Sequence, residues 1–242
     1  MSQLTEAARA ADGRTSLAAR LAPAGIVGGI GGLVFAVSVV VQNLIRAKDL
    51  PADDASATKV IAFYGSHLGT TELLAALYAV GAVGLMFFLG ALLSRLIDGA
   101  GRAPAIAGGF GAAGIVAMFT MTVASDIALA EYVHRGTPSS GAVAALWVLH
   151  NAVFGLLMVS IGIALVGLSA AAAGSGMLAD AWKRIGTLGG LLLVVAGACT
   201  PAMVAGSKVI AVGLVGFIVW LGFVVAAAVS LLRRPSPAPA VA

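Results

Sequence analysis

Six long apolar runs, separated by short polar turns, set the pattern of the chain. They cover about residues 22–45, 71–97, 103–133, 142–171, 185–204 and 209–232. A membrane-spanning helix needs about 20 consecutive apolar residues, and each run reaches that length. The first run is too long for the core of a cleaved signal peptide, usually about 7–15 residues, so it reads as a retained span. Between the first and second runs, Val60, Phe63, Tyr64 and His67 recur at i, i+3, i+4, i+7. That spacing puts them on one face of a helix too short to span. Pro51 and the pair Asp53–Asp54 stand where this helix would begin. The segment is expected to lie flat on the membrane over the helix ends, with Val60, Phe63 and Tyr64 buried and Lys59 exposed. The pattern thus predicts an all-α integral membrane bundle of six transmembrane helices, with a short external amphipathic helix between the first and second.

Composition agrees with this picture. The 242 residues are 60% hydrophobic and 10% charged, with a mean hydropathy of +1.06. A soluble domain carries about 25% charged residues. The net charge of +4 is spread singly or in pairs at helix ends, which does not fit a nucleic-acid binder. One cysteine, Cys199, excludes an intrachain disulfide. Residues 1–21 read as a cytoplasmic tail, with or without a short surface helix, 22–234 as the membrane domain, and the proline-rich residues 235–242 as a disordered tail. Nine Lys and Arg fall on the side of the termini and five on the other. The positive-inside rule therefore predicts cytoplasmic termini in a multi-pass protein of a bacterial plasma membrane.

Small residues and a proline refine the spans. Gly25, Gly28, Gly29 and Gly32 give two overlapping G-x-x-x-G spacings, which let a neighbouring helix approach closely. The stretch AGGFGAAG in the third span is of the same packing type. Thr200–Pro201 is expected to bend the last turns of the fifth.

Polar residues crowd into the outer half of the spans. Thr122 and Asp126 share a face of the third helix; Trp147, His150, Asn151 and Phe154 share one of the fourth. Asp126 and His150 lie about eight residues on either side of the turn HRGTPSSG, hence at equal depth, roughly 12 Å below the surface. They are expected to meet. An acid at mid-helix costs roughly 2.5–3.5 kcal/mol to insert, so it faces a partner, the bundle interior or water. Gln42 and Asn43 close the first span on the same side. These residues, Asp126, His150, Asn151, Thr122, Gln42, Asn43 and Trp147, form a candidate ligand-binding set in a pocket open to the outside. A plain alternative is that Asp126 and His150 only tie two helices together. Glu131, His134 and Glu72 read as solvated or capping groups at helix ends.

Several chemistries lack their residues. No phosphate-binding loop, H-E-x-x-H or G-x-S-x-G occurs. Asp126 and His150 make two metal ligands where three or four are needed, and a second buried histidine for haem is missing. Neither a cofactor nor a catalytic constellation is expected, and the chain does not read as an enzyme. What remains is a binding or accessory protein that holds a membrane lipid or small amphiphile, or docks to a membrane-protein partner or a second copy of itself. The alternative is a small oligomeric proton-linked transporter using Asp126 and His150.

The segment LPADDASATKVIAFYGSH, the AALW run opening the fourth span and the arginine pair ending the sixth resemble a broad class of actinobacterial polytopic integral membrane proteins of unassigned function. The resemblance runs from Leu21 to Arg234. It implies a bundle of about six helices in a bacterial plasma membrane, and no activity.

Overall fold

A computed structural model describes residues 2–97 and 101–233, with side chains from residue 24 onward apart from residue 49. The described residues form helices and no strands. In chain order they are α1 (Ser2–Asp49), α2 (Ala57–Ser66), α3 (Leu68–Leu96), α4 (Arg102–His134), α5 (Ser140–Gly174), α6 (Ala181–Ala198), α7 (Thr200–Val204) and α8 (Ile210–Arg233). Six of them, α1, α3, α4, α5, α6 and α8, are long and apolar enough to cross a membrane. The chain is a six-span helical bundle with α2 between the first two spans, and the predicted fold class holds.

Two boundaries differ from the sequence reading. Residues 2–21, expected as a tail, continue the helix of the first span without a break. Nothing in that stretch is a proline, and the apolar pattern that marks a span does not mark where a helix begins. The fifth span does not bend but ends at Ala198, and α7 restarts at Thr200. Pro201 has no N–H to give the Gly197 carbonyl. The Thr200 hydroxyl donates to that carbonyl instead, at 2.5 Å. The proline-rich residues 235–242 and part of the turn after α3 lie outside the described residues.

Long lipid-facing side chains surround a core of small ones. Ile30, Val37, Leu44, Phe87, Phe110, Leu188 and Ile218 are exposed, which suits a hydrocarbon solvent rather than water. Glycines set the helix spacing inside. A β-carbon on Gly111 of α4 would lie 2.4 Å from the backbone nitrogen of Ala164 in α5. One on Gly29 would lie 2.9 Å from the Ala228 carbonyl oxygen of α8. Gly25, Gly29 and Gly32 thus clamp the first half of the first span against the last turns of α8, as the G-x-x-x-G spacing predicts.

The helix α2 closes one end of the bundle. Val60, Phe63 and Tyr64 are buried and pack with Leu129, Ala130 and Val133 of α4 and with Val143 and Trp147 of α5. Lys59 is exposed. Each of these follows the 3.6-residue period. The buried face meets protein, so α2 is a cap over the ends of α4 and α5.

Candidate functional site

Beneath α2, one carboxylate gathers side chains from four helices. Asp126 of α4 is 3% exposed. Its Oδ2 lies 2.5 Å from a guanidinium nitrogen of Arg46, near the end of α1. Its Oδ1 accepts the Tyr64 hydroxyl of α2 at 2.6 Å and lies 3.3 Å from Nδ1 of His150 in α5. The expected meeting of Asp126 and His150 is present. Arg46 and Tyr64 were not anticipated as partners. Burial, reinforced by the Asp126 carboxylate, pushes the Tyr64 phenol well above its ordinary titration range. Tyr64 therefore stays a protonated donor to Asp126.

Neighbouring residues hold this group in place. The Ser125 hydroxyl donates to the Thr122 carbonyl at 2.7 Å and lies 3.0 Å from His150 Nδ1. With the serine proton so engaged and a carboxylate also facing Nδ1, that nitrogen is assigned the histidine proton. The Trp147 ring stacks on His150 with centroids 5.1 Å apart and planes 4° from parallel. Trp147 Nε1 donates to the Ala52 carbonyl at 3.3 Å, and Asn151 Nδ2 donates to the Asp53 carbonyl at 3.0 Å. Both bonds pull the turn before α2 down onto α5. The Thr122 hydroxyl bonds within its own helix, to the Met118 carbonyl. Asp126, His150, Asn151, Trp147 and Thr122 thus engage one another or nearby backbone, and Tyr64 fills the space between them and α2.

Space opens to one side of this group, along α1. A cavity of about 130 Å³ runs between α1, α4, α5, α6 and α8. Its wall is apolar and includes Phe35, Val39, Ile115, Leu157, Ile161 and Trp220. Gln42, Asn43 and Arg46 form one end. Gln42 is 1% exposed, and neither its amide nitrogen nor its amide oxygen has a hydrogen-bond partner among the described residues. Arg46 Nε is likewise buried without one. The Asn43 amide donates to the Val39 carbonyl at 2.9 Å, so it is partly engaged. A small neighbouring void of about 10 Å³ also touches Gln42 and has room for one water at most.

The two groups of candidate residues meet at Arg46. One of its nitrogens pairs with Asp126, and the residue also lines the cavity. A signal for this was present in the chain: Phe35, Val39, Gln42 and Arg46 follow one another at intervals of four, three and four, which is a single inward stripe on α1. Arg46 stands two residues before Lys48 and resembles an ordinary interfacial cation, which hides it.

The cavity also has a way in. Glycines lock α1 to α8 at the Gly25–Gly32 end only, and the cavity begins at Phe35. Leu214, on its α8 edge, is 57% exposed. That edge of the cavity therefore lies at the outer surface of the bundle. Comparison with protein-family models, with curated proteins and with solved structures finds no match.

Proposed function

We propose that this chain is a plasma-membrane binding protein that takes up a lipid or small amphiphile from the bilayer through the gap between α1 and α8. The unpartnered Gln42 amide at the end of an apolar cavity carries this reading. A buried polar group without a partner costs about 1–3 kcal/mol, so its retention calls for something that satisfies it. The apolar wall receives a hydrocarbon chain, and the Gln42 end receives a polar headgroup. From Phe35 to Arg46 the cavity extends along α1 by about 16 Å, which suits a chain lying parallel to the lipids.

Gln42→Leu tests this directly. Without ligand, the variant should melt at a higher temperature than the native protein, by an amount corresponding to roughly 1 kcal/mol or more. A lipid should co-purify with the native protein and be lost from the variant, read by native mass spectrometry from mild detergent. A variant that is less stable and still carries that lipid would rule the reading out.

We propose that the termini lie in the cytoplasm. Nine Lys and Arg lie on the side of the termini and five on the α2 side, and two of those five, Arg46 and Arg135, are paired with carboxylates. In a Cys199→Ala background, single cysteines at Ser56 and Ser139 should react with an impermeant thiol reagent on intact cells. One at Ser175 should react only after lysis. The reverse pattern would invert the orientation.

A proton-linked transporter is the second reading, favoured by the contact between Asp126 and His150. It requires Asp126 to change partners during a cycle. Loss of uptake in Asp126→Asn with the fold intact would support it over a binding role.

A further inference from the structure

The charge balance at the polar end of the cavity identifies the kind of headgroup, given that the cavity binds an amphiphile as proposed above. Arg46 is the one charged residue on the described wall, and it is held by the Asp126 carboxylate at 2.5 Å. The pair is neutral as a unit. Tyr64 and His150 complete the coordination of that carboxylate from the far side. An anionic headgroup would have to draw Arg46 away and leave Asp126 buried without its countercharge. A cationic headgroup would face the guanidinium directly. Either places an unpaired charge against a wall of Phe35, Val39 and Trp220, which is far more costly than an unpaired neutral group.

Hydrogen-bonding capacity narrows the choice. The Gln42 amide offers two N–H donors and one oxygen acceptor, and Arg46 Nε offers one more donor. All these atoms are buried and unpartnered among the described residues. Donors outnumber acceptors, so the complement is a group rich in oxygen lone pairs with at least one hydrogen to give. Hydroxyl, ester–hydroxyl and primary amide headgroups have that character. We infer that the cavity selects a single-chain amphiphile with an uncharged, oxygen-bearing headgroup, with Gln42 and Arg46 Nε as its specificity-determining contacts.

Saturable binding of three labelled probes of equal chain length, monolauroylglycerol, laurate and dodecyltrimethylammonium, to the full chain in phosphatidylcholine nanodiscs tests this, with empty discs as the blank. Monolauroylglycerol should bind at least about tenfold more tightly than either charged probe at neutral pH, a difference of roughly 1.4 kcal/mol. Gln42→Leu should abolish that preference. Leu214→Trp, a change on the lipid-facing rim that leaves Gln42 and Arg46 untouched, should weaken all three probes by blocking the entrance. Tighter binding of laurate would overturn the uncharged class and make Arg46 an anion site, while leaving amphiphile binding intact. An unchanged preference in Gln42→Leu would overturn the role of the amide. Absence of saturable binding for every probe would overturn the binding function itself.

Discussion

Asp126→Ala is expected to be the most damaging single truncation on the α2 side of the bundle. The substitution leaves the Arg46 guanidinium buried without a counterion, and the side chain of Arg46 is only 11% exposed. It also removes the acceptor of the Tyr64 hydroxyl. Breaking a buried ion pair by removing one partner costs about 3–5 kcal/mol. Unfolding in detergent, followed by thermal melting, should show a loss of that order. A double-mutant cycle apportions the effect. Asp126 with Arg46, at 2.5 Å, should couple more strongly than Asp126 with His150, at 3.3 Å. In both cycles the double variant should cost less than the sum of the singles, because the second change removes the group that the first stranded. A loss under about 1 kcal/mol for Asp126→Ala would mean that water reaches the pair. Strong coupling with full cellular activity in the single variants would reduce Asp126 and His150 to a structural tie.

The second large effect concerns spacing. Gly111→Ala places a β-carbon 2.4 Å from the backbone nitrogen of Ala164 and 2.9 Å from the Ser160 carbonyl oxygen. Backbone cannot swing aside as a side-chain tip can, so α4 and α5 must separate. A cost near the top of the overpacking range, about 3 kcal/mol, is expected. Gly90→Ala supplies the contrast. Nothing lies within 4 Å of a β-carbon there, and the residue faces outward on α3. That change should raise stability by about 0.5–1 kcal/mol, since alanine loses less backbone freedom in a helix. If both variants melt alike, the α4–α5 contact is looser than the glycine spacing implies.

Residues that obey a period were legible before any coordinates. Val60, Phe63 and Tyr64 are buried and Lys59 is exposed because a helix repeats every 3.6 residues, whatever surrounds it. Asp126 and His150 meet because two helices joined by a tight turn return to equal depth at equal distance from it. Gly29 and Gly32 pack against α8, in keeping with their small-residue spacing. The candidate binding residues were only partly sorted this way. Gln42 and Asn43 border the cavity, while Asp126, His150, Asn151, Thr122 and Trp147 stand beside it in a group bonded to itself and to nearby backbone. In sequence these seven look alike, since each carries a hydrogen-bonding side chain in the α2-facing half of a span.

The sequence by itself determined the six spans, the amphipathic cap and the depth of each polar residue, because hydrophobic length and helical period act locally along the chain. Only the tertiary structure decided which polar groups satisfy one another. Arg46 and Asp126 are 80 residues apart, and Tyr64 and Asp126 are 62 apart. No local rule links such positions; they meet because α1, α2 and α4 are packed side by side. The same packing decided that Gln42 has no partner. An amide within a span escapes the cost of unmade bonds only where a neighbouring helix supplies a partner, and in this bundle α1, α5 and α8 surround it with apolar side chains.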